Sequence, residues 1–317
     1  MSVLLVDALN LFTRHFVANP AMSEHGYHVG GIVGFLNGIR LINERFSPSK
    51  IFVIWESGGS PRRRALLPDY KSKRRPQRLN RYYDDEIPDT VQGRDNQISV
   101  IVEILKNTPI CQMYVPECEA DDVIGYMSRY CFSEDKKIIL SSDKDFYQLL
   151  SEDVVIYSPT KKKVVTHLDL IKEYKISAEN FCLAKSMCGD SADNIPGVKG
   201  AGFKTIAKRF PKMICDDTVT IDEIIDISKK FSSEKRSPKV YSEIIKEKDT
   251  IRRNWDLIYL DVKNLSYTQV KRISDTLDTF DSRRDKISTM RTLIREGIKT
   301  FDVDRFFLSF NSIRDKK

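Results

Sequence analysis

Ile51-Phe52-Val53-Ile54-Trp55-Glu56 is a short apolar run closed by an acid. The same form occurs three more times. Val3–Val6 runs into Asp7, Gln112–Val115 is followed by Glu117 and Glu119, and Ile138–Leu140 is followed by Ser141, Ser142 and Asp143. Each run is strand-sized. Between the first two, Ile32, Phe35, Leu36, Ile39 and Ile42 recur at helical spacing. Ile98, Ile101, Val102 and Leu105 do the same before the third. Strands alternating with helices predict an α/β fold with a mostly parallel sheet. Ligands of such sheets bind beyond the carboxyl ends of the strands, and the acids fall there. Acids placed only for solubility would scatter over both ends.

The chain has 317 residues, 41% apolar and 31% charged, so it can bury a core and stay solvated. Disorder throughout is excluded. A membrane span is not expected either, because no apolar stretch approaches the required ~18 residues. No basic flank precedes an apolar core at the N-terminus, so no signal peptide is expected. Six cysteines show no CxxC pairing and no clustering with the four histidines. A disulfide framework or a zinc site is not expected, and a reducing, cytoplasmic setting fits.

The net charge is +7, and residues 62–81 carry it: nine basic side chains against the single acid Asp69. The remainder of the chain is close to neutral. Such a block attracts a polyanion, most commonly nucleic acid. The plain alternative is a solvated loop.

Val154–Tyr157 and Lys163–Thr166, separated by Ser158-Pro159-Thr160-Lys161-Lys162, read as a hairpin. Thr166-His167-Leu168-Asp169 has the spacing of a capping box. Ser177 caps a helix bearing Phe181, Ala184, Met187 and Cys188, and from about residue 216 the pattern is helical and heavily charged.

Four motifs carry chemistry. In Glu119-Ala120-Asp121-Asp122, the first and last acids share a helix face with Asp121 beside them. Packed carboxylates need neutralising, and a hard divalent cation does this with oxygen ligands. The alternative is an acidic first turn favoured by the helix dipole. Ser141-Ser142-Asp143-Lys144-Asp145 places alternate acids at a strand end; the alternative is a helix cap with a spare acid. Gly189-Asp190-Ser191-Ala192-Asp193-Asn194 puts two acids at a helix C-terminus, where the dipole disfavours them. Gly197, Gly200 and Gly202, within 195–203, make a tight turn before a helix with Phe203, Ile206, Ala207 and Phe210 on one face. Backbone N–H groups at such a turn can hold phosphate without reading bases.

With Leu5-Val6-Asp7, Pro68-Asp69-Tyr70-Lys71-Ser72-Lys73-Arg74 and these motifs in order, the sequence from Val3 to Asp261 resembles the 5′ nucleases. That family includes bacteriophage 5′-3′ exonucleases and ribonucleases H, the 5′-nuclease domain of bacterial DNA polymerase, and flap endonucleases. The bacteriophage branch is the most similar. The resemblance implies a PIN-like core at 1–175 with a basic helical arch at about 57–88. A helix-hairpin-helix DNA-binding region would follow at 176–265, and a helical C-terminal extension at 266–317. It implies a metal cluster of Asp7, Glu56, Glu119, Asp121, Asp122, Asp143, Asp145, Asp190 and Asp193, with Glu56 standing where the family usually has Asp. Lys71 and Arg74 fall on its catalytic arch positions. The implied DNA contacts are Arg62, Arg63, Arg64, Tyr70, Lys71, Lys73, Arg74, Arg75, Lys185, Gly197, Lys199, Gly200, Gly202 and Lys204.

The implied cofactors are two or more Mg²⁺ ions, replaceable by Mn²⁺, with K⁺ at the hairpin. The implied reaction is phosphodiester hydrolysis by metal-activated water near the 5′ ends of DNA flaps and RNA–DNA hybrids, serving RNA-primer removal in phage replication. A monomer in the host cytoplasm is expected. Further partners would be a single-strand-binding protein or a sliding clamp. Val303, Phe306 and Phe307 loosely resemble a clamp-docking peptide, against the alternative of a terminal helix packed on the core. Tyr82 and Tyr83 are candidates for base stacking. Two rivals remain at this point: a PIN-type ribonuclease acting on structured RNA, and a non-catalytic DNA-binding replication accessory.

Overall fold

The computed structural model describes residues 1–56, 58–74 and 91–313. The chain opens with β1 (Ser2–Asp7), α1 (Ala8–Ala18), α2 (Gly30–Phe46), β2 (Lys50–Trp55) and α3 (Pro61–Leu66). After the arch segment come α4 (Val91–Leu105), β3 (Cys111–Tyr114), α5 (Ala120–Tyr130), β4 (Lys136–Leu140), β5 (Val154–Ser158) and β6 (Lys163–Val165). The six strands form one sheet in the order β3-β2-β1-β4-β5-β6. All neighbours are parallel except the β5–β6 hairpin at one edge. This is the expected α/β sheet, and the expected hairpin is in place.

β1 lies centrally, and Val3, Leu4, Leu5 and Val6 are fully buried. A parallel strand covered on both faces has no solvent side, so its sequence is continuously apolar and does not alternate. Its register pairs Asp7 with Ile54 of β2 and Val6 with Leu140 of β4. Three strand ends, and the acids that follow them, are therefore adjacent. α1 and α2 cover one face, where Phe12, Phe35, Leu36 and Ile39 pack under the sheet. α5 covers the other with Val123, Ile124 and Met127.

The second half is helical: α6 (His167–Tyr174), α7 (Ala178–Cys188), α8 (Phe203–Arg209), α9 (Ile221–Ser232), α10 (Lys239–Lys246) and α11 (Lys248–Ile258). α6 opens on the expected capping box: the Asp169 N–H donates to Thr166 Oγ1 and the Thr166 N–H to Asp169 Oδ2. α7 and α8 flank the tight loop 189–202. Gly197 is fixed there by contact, because a Cβ would lie 2.0 Å from the Cys188 carbonyl oxygen. Any side chain would force the loop off α7.

The chain ends with α12 (Tyr267–Thr279), α13 (Lys286–Arg295) and α14 (Val303–Leu308). The last two pack into the same core as α1 and α2, through Leu293, Ile298, Phe301, Phe306 and Phe310. Phe306 and Phe310 are 0% exposed, with ring centroids 4.8 Å apart. The clamp-peptide reading fails on this burial: a docking peptide must offer its aromatic residues to a partner, and Phe306 is committed to the core. No helix among the described residues is long and apolar enough to cross a membrane.

Phe306→Ala removes a fully buried aromatic ring and should lower unfolding free energy by about 3–5 kcal/mol. Urea denaturation followed by tryptophan fluorescence measures it. A loss under ~1 kcal/mol would show that the terminal helices do not share the core.

Candidate active site

The acids at the strand ends meet in one cleft. Asp7 closes β1, Glu56 follows β2, and Asp143 follows β4. Asp121 lies in the first turn of α5. Burial pushes the Asp7 carboxyl up to about 7, against the opposing pull of the Asn10 N–H and the Ser141 hydroxyl; the Asp143 and Glu56 charges add to the rise. Asp121 is pushed well above the usual carboxylate range by burial and then by Asp143 and Asp7. Asp143 is raised by burial, partly offset by Lys185, and raised again by Asp193. Glu56 is raised by burial, with Lys71 pulling the other way and Glu119 adding to the rise. These groups feel one another's charge, so they form one electrostatic unit.

Asp143 joins this group to a second one. Asp145, Asp190 and Asp193 bring carboxylate oxygens within 4.8 Å of one another. Asp190 and Asp193 come from the loop after α7, where Asp190 and Ile195 bridge and the Ala192 N–H donates to Asp190 Oδ1 at 2.9 Å. Lys185 of α7 bonds Asp145 and lies 2.8 Å from Asp190 Oδ2. Burial works to raise Asp190, but the Lys185 ammonium together with the Ala192 and Asp193 N–H groups outweighs it, and the carboxyl ends below its usual range.

Two residues of the expected metal and DNA sets pair with each other instead. Arg63 donates to both oxygens of Asp122, at 2.5 and 2.7 Å, and Nε donates to the Leu257 carbonyl at 2.8 Å. Arg63 is 2% exposed and Asp122 1%. Asp122 also accepts from Asn264 at 3.1 Å and from the Glu119 backbone N–H in the α5 capping box. Its lone pairs are consumed inside the fold. In this structure Arg63 and Asp122 neutralise each other inside the fold.

Glu119 is similarly engaged. Lys71 Nζ lies 2.7 Å from one oxygen, and the Tyr70 hydroxyl donates to the other at 3.1 Å. Tyr70 is buried, so its ring is not open for the expected DNA contact. Lys71 is raised because Glu119 and Asp121 together outweigh the cost of its burial. Arg74 Nη2 bonds Asp193 at 2.6 Å, and the Lys71 backbone N–H donates to the Asp193 carbonyl. Asn194 Nδ2 donates to the Asp69 carbonyl at 3.0 Å. The foot of the basic segment is thus laced to the acidic loop of the hairpin.

Among the other expected DNA contacts, Arg64, Lys73, Lys199, Gly200, Gly202 and Lys204 are exposed. Arg62 is half-buried and donates to the Asp256 carbonyl; Arg64 donates to the Gly58 carbonyl. Lys185, expected to face DNA, is 7% exposed and enclosed by acids. Of the expected helical arch, residues 58–74 are described, with α3 as their helix; Arg75, Tyr82 and Tyr83 lie outside the described residues.

The sequence reading missed Ser141, Asn10 and Asn264. Ser141 Oγ donates to Asp7 Oδ2 at 2.9 Å and accepts the Asp143 N–H at 3.0 Å. The Asn10 N–H donates to Asp7 Oδ1, and Asn10 Oδ1 accepts the Ser142 N–H. Ser141 was legible as a polar residue directly after a strand. Nothing in the local sequence marks Asn264.

The donor set is oxygen only and largely carboxylate, and burial already drives several of its members toward the protonated form. That chemistry fits hard divalent cations, which supply the missing positive charge.

Residues 2–175 match the family described as 5′-3′ exonuclease, N-terminal resolvase-like domain. The chain is 32% identical to a 5′-3′ exonuclease of Aquifex aeolicus (strain VF5) over 203 residues, 63% of this chain and 66% of that protein. It is also 32% identical to a 5′-3′ exonuclease of Buchnera aphidicola subsp. Acyrthosiphon pisum (strain APS), over 64% of this chain and 68% of that one. In fold it is similar to the bacteriophage T5 flap endonuclease solved with DNA and metal ions. The TM-score is 0.69 at 21% identity, covering 88% of this chain and 98% of that one.

Asp122→Ala strands the buried Arg63 charge and should cost about 3–5 kcal/mol of stability. Arg63→Met together with Asp122→Leu should recover most of that loss. Paired denaturation curves check it. A fully stable single Asp122→Ala variant would return Asp122 to the cleft.

Proposed function

The chain belongs to the 5′-3′ exonuclease family, and on that footing we propose that it is a divalent-metal-dependent, structure-specific 5′ nuclease. It hydrolyses phosphodiesters near the 5′ ends of DNA flaps and RNA–DNA hybrids. One observation carries the reading: mutually repelling carboxylates at the ends of β1, β2 and β4 lie in the electrostatic reach of the foot of the basic segment, where Lys71 pairs with Glu119 and Arg74 with Asp193. A protein that only bound nucleic acid would gain nothing from buried negative charge facing phosphate.

Asp7, Asp121 and Asp143, with Glu56 at the rim, are the residues to hold the ions, and Asp145, Asp190 and Asp193 extend the set. Mg²⁺ fits this set, and Mn²⁺ fits it equally. When bound, such ions supply a water of lowered pKa and positive charge at the phosphate oxygens. Ser141 and Asn10 hold the Asp7 carboxylate in one orientation. In this reading Lys71 and Arg74 exchange their bonds to Glu119 and Asp193 for the phosphate next to the scissile one, as point charge and fork respectively. Lys199 and Lys204 in the hairpin supply phosphate contacts to the duplex, which position it without reading sequence. Water attacking at phosphorus makes no use of a 2′-hydroxyl. The chemistry therefore admits an RNA primer at a 5′ end as well as a DNA flap, which suits primer removal during replication.

Asp121→Asn and Asp143→Asn should each reduce Mg²⁺-dependent cleavage of a 5′-labelled flap by more than ~100-fold. Binding of the same flap, read by gel shift, should persist or tighten because a negative charge facing phosphate is gone. Full cleavage in either variant would overturn the metal assignment, and preference for structured single-stranded RNA over the flap would favour the PIN-type ribonuclease. Lys71→Ala and Arg74→Ala should each weaken binding of 5′ single strands more than of plain duplex. The salt slope on single strands should fall by about 0.7 per lost phosphate contact.

A further inference from the structure

Lys185 lies in the last turn of α7, 7% exposed. Its ammonium bonds Asp145 and lies 2.8 Å from Asp190. These are two of the three acids whose oxygens gather within 4.8 Å. The third, Asp193, is held by Arg74 from the opposite side. The place a divalent ion would take among the three carboxylates is thus flanked by an ammonium already bound to two of them. Oxygens that ligate an ion inside this cluster cannot also keep a buried ammonium at bonding distance, because two like charges would then share one small, poorly hydrated space. Lysine is suited to give way: its charge sits on a flexible four-carbon stem and can swing without moving the helix.

We infer that Lys185 is the resident counter-cation of Asp145 and Asp190, in the cluster that Asp193 completes, and that a divalent ion enters this cluster only by displacing its ammonium. The inference rests on reading the cluster as a metal site and adds what governs its loading. Lys185 keeps the metal-free fold from carrying two bare carboxylates crowded beside Asp193. It also makes this cluster weaker for metal than the neighbouring Asp7–Asp121–Asp143 group, to which no cation is bonded among the described residues. The ammonium released on loading is left beside the place where phosphate would lie.

The test uses the full chain without DNA. Metal-free parent, Lys185→Met and Lys185→Arg are titrated with Mn²⁺ by calorimetry, with free ion followed by electron paramagnetic resonance. Lys185→Met should bind one Mn²⁺ at least about tenfold more tightly than the parent, since a competing unit charge is removed. Lys185→Arg keeps the charge and should stay near the parent. The metal-free Lys185→Met variant should melt at lower temperature and gain more from Mn²⁺. A purely structural role would lower stability without tightening Mn²⁺. Should Lys185→Met not fold, the parent suffices: acylation of Lys185 by an amine-reactive ester, read by mass spectrometry, should rise severalfold when Mn²⁺ is added. Mn²⁺ affinity equal in parent and Lys185→Met, or unchanged Lys185 reactivity, overturns the counter-cation role alone. Absence of bound Mn²⁺ in every form overturns the metal reading with it.

Discussion

Carboxylates confined to one poorly hydrated cleft repel, and the arrangement around them answers that repulsion. The parallel sheet creates the problem, because β1, β2 and β4 end side by side and deliver their acids to the same place. The sequence then supplies positive charge from three directions. Arg63 comes from α3, Lys71 and Arg74 from the foot of the basic segment, and Lys185 from α7. Each neutralises a different part of the cluster. Among the described residues no cation is bonded to Asp7, Asp121, Asp143 or Glu56, and burial and the charge of neighbouring acids raise all four. The fold has satisfied the periphery of the cluster and left its centre short of positive charge.

The same ion pairs hold the architecture together. Lys71 and Arg74 do not merely compensate acids; with the Lys71 N–H and Asn194 they tie the basic segment to the loop after α7. That loop is in turn locked to α7 by the close approach of Gly197 to Cys188. A segment suited to a single strand and a hairpin suited to a duplex are therefore fixed relative to the carboxylates by contacts at the centre itself. Substrate geometry and chemistry are set by one set of bonds. Under the proposed function, this is what would let the site select a junction between single strand and duplex without reading a base.

The sheet was legible because a buried parallel strand has to be continuously apolar, and a run such as Val3–Val6 has no other soluble use. The acids were legible because they followed those runs. The partners of the acids were not. Arg63 and Asp122 are 59 residues apart, and Arg74 and Asp193 are 119 apart. A basic block reads as a polyanion site whichever of its members turn inward. Arg63 turns inward while its neighbour Arg64 stays out, a difference set by the six-residue α3 helix and its Ser60 cap. Lys185 was expected at DNA on the family resemblance alone, and its burial among acids was not visible in the sequence. The C-terminal aromatic residues were open to two readings, and packing against α2 decided for the core.

Glu119-Ala120-Asp121-Asp122 shows where residue type stops and helical phase begins. Residues three apart share a helix face, and Glu119 and Asp122 do share one. That face looks at Arg63, which approaches Glu119 Oε2 at 3.5 Å and Asp122 at 2.5 Å. Asp121 is one residue from Asp122 and about 100° round the helix, so it looks into the cleft. Adjacent acids of one type thus have opposite fates. Asp122 is spent on a cap and a buried ion pair, and Asp121 keeps its oxygens facing Asp7 and Asp143. The helix N-terminus favours negative charge at both positions through its dipole, which is why a run of acids occurs there at all. The direction of each Cα–Cβ bond, and not the count of carboxylates, determines how many of them a metal can use.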